Sequence, residues 1–172
     1  ELTNNIMKME SDTMSKYLIF DMDGTIADFY GVEGWKHYLD DLQDETPYRI
    51  AKPIYDPILL NSILMAAKKI GYKIIIVSWL SRVKTDKNFH QRIIDAKNEW
   101  LDRYEFPYDE KIFIDYGEDK EQAVSHLNGF KILIDDSDDV LNSWSGIKID
   151  AKQNILPELQ ALIPQYLYMQ ME

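Results

Sequence analysis

Short unbroken apolar runs alternate along this chain with longer stretches in which apolar residues recur every three or four positions. The first run, residues 17–20, ends in Asp21. Residues 56–70 place Ile58, Leu59, Ile63, Met65, Ala66 and Ile70 at helical spacing, and Gly71 closes the stretch. Residues 72–77 are rich in β-branched side chains and too few for a helix, so they predict a strand. A long helix is predicted over 87–104, with Ile93, Ile94, Ala96, Trp100, Leu101 and Tyr104 on one broad face. Strands follow at 111–114, 131–134 and 147–149, and helices at 119–127 and 155–163, the first of these stopped near Gly129.

Strand and helix in alternation at this spacing predict an α/β fold: a doubly wound parallel sheet in three layers, with helices on both faces. Three of the strands are almost wholly apolar, as strands covered on both sides must be. Residues 16–172 form a single domain on this reading, and the polar residues 1–15 are expected to be a flexible N-terminal tail. They lack the basic start and apolar stretch of a secretion signal. Residues 29–57 interrupt the alternation. They are too long for an ordinary loop, and hold Gly31, Gly34, a helix-like stretch over 35–42, and Pro47, Pro53 and Pro57. We read them as a small cap inserted after the first strand; the plainer reading is a surface excursion that only connects.

Composition narrows the classes of function. The chain has 172 residues, 45% of them hydrophobic and 28% charged, which describes a folded domain with a sizeable core. A net charge of −11 makes polymeric nucleic acid and anionic membrane poor partners. It does not exclude a small phosphorylated substrate, because a bound cation reverses the local field. The absence of cysteine excludes thiol nucleophiles and thiolate metal sites, and fits a cytoplasmic setting. No apolar run reaches the ~18–20 residues that span a bilayer.

The chemistry concentrates at the ends of the apolar runs. Asp21-Met22-Asp23-Gly24-Thr25 follows the first strand, and extended backbone turns positions i and i+2 to the same side, so both carboxylates can converge on one point. Crowded carboxylates repel unless a proton or cation relieves them, and a hard ion such as Mg2+ suits oxygen ligands. Aspartate is also common where a strand enters a turn. Ser78 ends the second strand, Lys120 opens the helix after the third, and Asp135 and Asp136 end the fourth. Parallel sheets bind ligands at the carboxyl ends of their strands, so these residues can share a crevice with Asp21 and Asp23. Such a set contains a carboxylate nucleophile, a second carboxylate for the leaving-group proton, acidic metal ligands, and a hydroxyl and a cation for phosphate oxygens. No glycine-rich phosphate loop of either common type occurs.

Asp-Met-Asp-Gly-Thr at 21–25, Ile-Ile-Ile-Val-Ser at 74–78, Lys120 and Ile-Leu-Ile-Asp-Asp at 132–136 stand in the order of four motifs. In this the chain resembles the haloacid dehalogenase (HAD) superfamily of phosphohydrolases over residues 17–150. The resemblance implies Asp21 as nucleophile and metal ligand, and Asp23 as general acid/base with its backbone carbonyl on the metal. It implies Ser78 and Lys120 on the phosphoryl group, with Gly24, Thr25 and Trp79 beside them. It gives Asp135 and Asp136 to Mg2+, with Asp136 as the direct ligand. Lys84, in the loop after Ser78, is the rival for the motif lysine. Within the superfamily the chain is similar to the 5'(3')-deoxyribonucleotidase branch, although its insertion is shorter and Trp79-Leu80-Ser81-Arg82 departs from that branch.

Aromatic residues gather in and near the insertion: Phe29, Tyr30, Trp35, Tyr38, Tyr48 and Trp79. They can stack a nucleobase or merely pack the insertion on the core. A nucleoside monophosphate is therefore the leading expected substrate. A sugar phosphate, a polynucleotide 3' phosphate and a non-catalytic phospho-ligand module are the alternatives. His37, His90 and His126 read as surface or packing residues. Arg49 and Arg82 are candidates to reach a phosphate or sugar.

Overall fold

The computed structural model describes residues 14–83 and 85–165. Most of the expected N-terminal tail, and Lys84, lie outside them. Five parallel strands form the central sheet: β1 (Lys16–Phe20), β4 (Tyr72–Trp79), β5 (Glu110–Ile114), β6 (Phe130–Asp135) and β7 (Ile147–Asp150), in spatial order β5-β4-β1-β6-β7. The chain winds outward from β1 to one edge and then returns to the other, so the order reverses beside β1. A crevice opens at such a reversal, outside the carboxyl ends of the strands.

Side-chain alternation divides the core into two. Leu18, Phe20, Ile74, Ile76, Ile132 and Ile134 point to one face, where they meet Leu60, Ile63 and Leu64 of α3 (Pro57–Lys69), Trp100 and Leu101 of α4 (Lys87–Arg103), and Leu159 of α7 (Leu156–Ala161). Tyr17, Ile19, Ile75, Val77 and Leu133 point to the other, covered by Val124, Val140, Leu141 and Trp144. This second layer carries α5 (Lys120–Ala123) and α6 (Asp138–Ser143). The doubly wound three-layer fold expected from the alternation is the one observed.

The long helices follow their local signals. Asp56 caps α3 by accepting from the amides of Ile58 and Leu59 at 2.8 and 3.2 Å, and Asp86 caps α4 by accepting from Asn88 at 2.8 Å. The helix expected over 119–127 is shorter. Only Lys120–Ala123 is α-helical, and the amides of Val124, Ser125 and Leu127 reach the carbonyls three residues back. The strand expected to stop at Val77 continues through Ser78 and Trp79, paired with Phe113 and Ile114. No helix among the described residues is long and apolar enough to cross a membrane.

The insertion folds as a compact unit. A two-stranded antiparallel ribbon, β2 (Ala27–Asp28) and β3 (Lys52–Pro53), forms its base and carries α1 (Trp35–Asp40) and α2 (Thr46–Ile50). It is fastened to α4: the Trp100 indole donates to the Ala51 carbonyl at 2.7 Å, Arg103 donates to the Arg49 carbonyl at 2.7 Å, and Arg92 donates to the Gln43 carbonyl at 2.9 Å. Arg49 itself pairs with Glu99 at 2.8 Å.

Candidate active site

A cavity of about 420 Å³ opens at the carboxyl ends of β1, β4 and β6 and runs beneath the insertion. Asp21, Asp23, Lys120, Asp135 and Asp136 line its base, and Phe29, Tyr30, Trp35 and Tyr48 of the insertion line one side. Trp79 and Tyr116 are also in its wall. Its size suits a small organic ligand.

Asp21 continues the side-chain parity of Ile19 and is placed by its amide, which donates to the Ile134 carbonyl at 3.0 Å. Asp135 has the parity of Leu133. Both carboxylates therefore reach toward the layer that holds α5, and Lys120 comes from that layer to meet them, donating to Asp21 Oδ1 and Asp135 Oδ2 at 2.7 Å each. Burial opposes the ammonium form of Lys120, but the two carboxylates outweigh it and raise the pKa above its ordinary value. Asp135 Oδ1 accepts from the Ser137 amide at 2.9 Å, so both of its oxygens are engaged. The Thr25 hydroxyl, fully buried, lies 3.3 Å from both Asp21 Oδ2 and Asp136 Oδ1.

Gly24 is the hinge of this turn. Its φ of +83° is left-handed, and a Cβ there would come within 2.3 Å of Asp136 Oδ2. Any side chain would collide with the acidic group across the crevice.

Asp21, Asp135 and Asp136 each offer a carboxylate oxygen, and these three atoms lie within 4.8 Å of one another. Burial first, then the charges of Asp21 and Asp135, push the Asp136 carboxyl up to about 7. Burial and Asp21 push Asp135 up to about 6, with Lys120 pulling against them. One ammonium does not neutralise three carboxylates, and an all-oxygen donor set of this spacing fits a hard divalent cation such as Mg2+.

Asp23 is held differently. Its Oδ2 accepts from Lys97 at 2.6 Å. Burial raises its pKa, and the Lys97 charge pulls against that while the Asp21 charge adds to it. Lys97 also donates to Ser78 Oγ at 2.6 Å and to the Trp79 carbonyl at 2.9 Å, and its Nζ sits 4.8 Å from the centre of the Tyr48 ring. Ser78 has the parity of Ile74 and Ile76, faces α4, and is fully buried behind the cavity wall. Trp79 does line the cavity; its indole donates to the Glu118 carbonyl at 2.9 Å, and the Lys120 ammonium stands 5.2 Å from its ring centre. Lys84 lies outside the described residues.

Two functional features escaped the sequence reading. Lys97 has no exposed surface, yet a lysine in a helix reads as solvated. Its place four residues after Ile93 and three before Trp100, on the apolar stripe of α4, is the signal that could have found it. Tyr116, two residues beyond β5, stands at a strand's carboxyl end, where the crevice rule applies. It packs on Trp79 with ring centres 5.1 Å apart.

The insertion aromatics divide by burial. Phe29 and Tyr48 are buried and stacked at 4.5 Å. Tyr30, half exposed, meets Trp35 edge to face at 5.2 Å in the cavity wall. Arg82 pairs with Asp40 of α1 at 2.6 Å, and both residues line the cavity. The histidines are spent elsewhere: His37 on Asp41, His126 on Glu110, and His90 against the Ser81 and Val83 carbonyls.

No protein-family model matches the chain, and no curated protein matches its sequence. Likeness appears in three dimensions. One chain in the structure of the Pnkp1/Rnl/Hen1 RNA repair complex superposes with a TM-score of 0.56 at 18% identity, over 80% of this chain and 42% of that one. At that identity the likeness concerns the fold, and this chain spans less than half the length of its neighbour. The D,D-heptose 1,7-bisphosphate phosphatase from Burkholderia thailandensis superposes more weakly, with a TM-score of 0.45 at 11% identity over 75% and 72% of the two chains.

Proposed function

We propose that this chain is a Mg2+-dependent phosphomonoester hydrolase of the HAD type, working through an aspartyl-phosphate on Asp21, with nucleoside monophosphates as preferred substrates. The observation that carries the proposal is the convergence of Asp21, Asp23, Lys120, Asp135 and Asp136 on one cavity at the carboxyl ends of parallel strands.

A carboxylate oxygen of Asp21 attacks phosphorus, and the bond from phosphorus to the leaving oxygen breaks. Asp23, whose burial favours the protonated form, gives its proton to that oxygen. Water then attacks phosphorus, Asp23 takes the water's proton, and the Asp21 carboxylate leaves. Lys120, fixed between Asp21 and Asp135, holds Asp21 in line and places positive charge beside the transferring group. Asp21 and Asp136 would hold Mg2+ directly, with Asp135, already engaged by Lys120 and Ser137, supporting them. Bound there, Mg2+ supplies the charge that offsets the crowded carboxylates and the incoming phosphate. Trp79 borders the phosphate side of the cavity, Gly24 and Thr25 hold the turn that carries Asp21 and Asp23, and Ser78 acts from behind the wall through Lys97.

The nucleotide preference rests on Tyr30 and Trp35, and on Trp79 and Tyr116, all of which line the cavity. A polynucleotide 3' phosphatase is a second reading, favoured by the likeness to a chain of an RNA repair complex and opposed by the net charge of −11. A cytoplasmic setting belongs to the proposal, on the absence of cysteine.

Hydrolysis of a generic aryl phosphate with Mg2+ and with excess chelator tests it. Activity that requires Mg2+ supports the proposal, full activity in chelator sinks it, and no activity with either leaves the chain a binding module.

A further inference from the structure

Resting on the assignment of Asp23 as general acid/base, we propose that Lys97 is a positioning residue that fixes the Asp23 carboxyl for proton transfer to the leaving group. Lys97 arises from the middle of α4, and its ammonium has three partners: Asp23 Oδ2, Ser78 Oγ and the Trp79 carbonyl. An ammonium has three protons, so each is directed to one acceptor. The ring of Tyr48 closes the site at 4.8 Å from Nζ. The side chain has no solvent contact, so nothing competes for those protons.

This arrangement locks one carboxylate oxygen of Asp23 to the end of β4 and leaves the other for a substrate. Asp23 sits in a turn beyond β1, where its side chain could otherwise rotate. Tied to Ser78 and Trp79 through one ammonium, it keeps a constant place relative to the strand end that borders the phosphoryl site. A proton donor acts only within hydrogen-bond reach of the atom it protonates, so a carboxyl free to swing transfers its proton less often. The two lysines therefore divide the work by layer. Lys120, from the α5 side, holds the nucleophile, and Lys97, from the α4 side, holds the acid.

A residue that acts through the general acid matters most when the leaving group is poor. The test compares kcat/KM for an alkyl phosphate and for 2,4-dinitrophenyl phosphate, whose leaving group needs no proton. It is run in wild type, Asp23→Asn, Lys97→Met and the double variant, each checked for folding. Lys97→Met is expected to lose at least about tenfold more on the alkyl than on the dinitrophenyl substrate, in the same sense as Asp23→Asn, since general acid catalysis is worth ~10²–10⁴-fold. In the Asp23→Asn background, Lys97→Met should cost less than about threefold further. If Lys97→Met alone does not fold, the double variant, which removes both buried charges, carries the comparison against Asp23→Asn. Equal losses on both substrates, or a full further loss in the Asp23→Asn background, would overturn the role of Lys97 while leaving Asp23 as the acid. Equal losses on both substrates in Asp23→Asn itself would remove the general-acid reading and this proposal with it.

Discussion

Replacing Lys120 by methionine isolates the electrostatics of the site. The thioether chain keeps much of the lysine's bulk under the Trp79 ring and removes the ammonium that donates to Asp21 Oδ1 and Asp135 Oδ2 at 2.7 Å each. Lys120 is only 4% exposed, so little water can take its place. Removing one partner of a buried ion pair costs ~3–5 kcal/mol. For a chain of this length ~1 kcal/mol moves Tm by ~2–4 °C, so a fall of ~6–20 °C is expected at pH 8 without metal. The loss should depend on pH, and the sign follows from the carboxyls. A carboxyl whose pKa is raised on folding binds more protons folded than unfolded, so it lowers stability as pH rises from the unfolded value toward the folded one. Asp136 already lies at about 7 and Asp135 at about 6 with Lys120 present, and removing the lysine takes away the charge that holds Asp135 down. The deficit should therefore be full at pH 8 and less than half as large at pH 5.5, where the group takes up protons. Saturating Mg2+ stabilises both proteins, by ~2.7 kcal/mol at a hundred times its Kd, and should narrow the deficit at pH 8 by as much as it binds the lysine-free carboxylates more tightly. Thermal unfolding of both proteins at the two pH values, with Mg2+ and with chelator, supplies the comparison. A deficit independent of pH and unmoved by Mg2+ would show that Lys120 matters as packing and that the crowded-carboxylate account is wrong.

Lys120→Ala should reduce kcat/KM far more than Lys84→Ala, and equal or reversed losses would transfer the phosphoryl-site role to Lys84. Mg2+ affinity measured by calorimetry should fall as pH drops from 8 to 6, because protonation of Asp136 near 7 competes with the metal; a flat profile would take Asp136 out of the ligand set. Nucleoside monophosphates should exceed sugar phosphates in kcat/KM by roughly tenfold to a hundredfold, the worth of one base stacked at ~1–3 kcal/mol. Trp35→Ala or Trp79→Ala should narrow that ratio, and a ratio near one in wild type would leave a general phosphatase.

How much of this was legible in the sequence follows from how locally each feature is encoded. The sheet was legible because residues 17–20, 74–77 and 132–134 are apolar on both faces, and the acids at 21, 23, 135 and 136 sit directly after such runs. The insertion's helix near Trp35 was visible, but its β2–β3 base was not, because two residues on each side carry no periodic signal. Lys97 was hidden for a different reason. Its three partners lie 74, 19 and 18 residues away, and only the folded chain brings an apolar-face lysine against a strand end. The split of aromatics into a buried pair, Phe29 and Tyr48, and a more exposed pair, Tyr30 and Trp35, likewise depends on how α1 and α2 pack.

The central claim is that Asp21 becomes phosphorylated. Its most direct test is a rapid acid quench of the protein with a 32P-labelled aryl phosphate and Mg2+, followed by peptide mapping. Label on Asp21 that is released by hydroxylamine, absent in chelator and absent in Asp21→Asn is the expected result. An Asp21→Asn variant that keeps most of the wild-type turnover, with no label on residue 21 in the wild type, would contradict the account and require a different nucleophile.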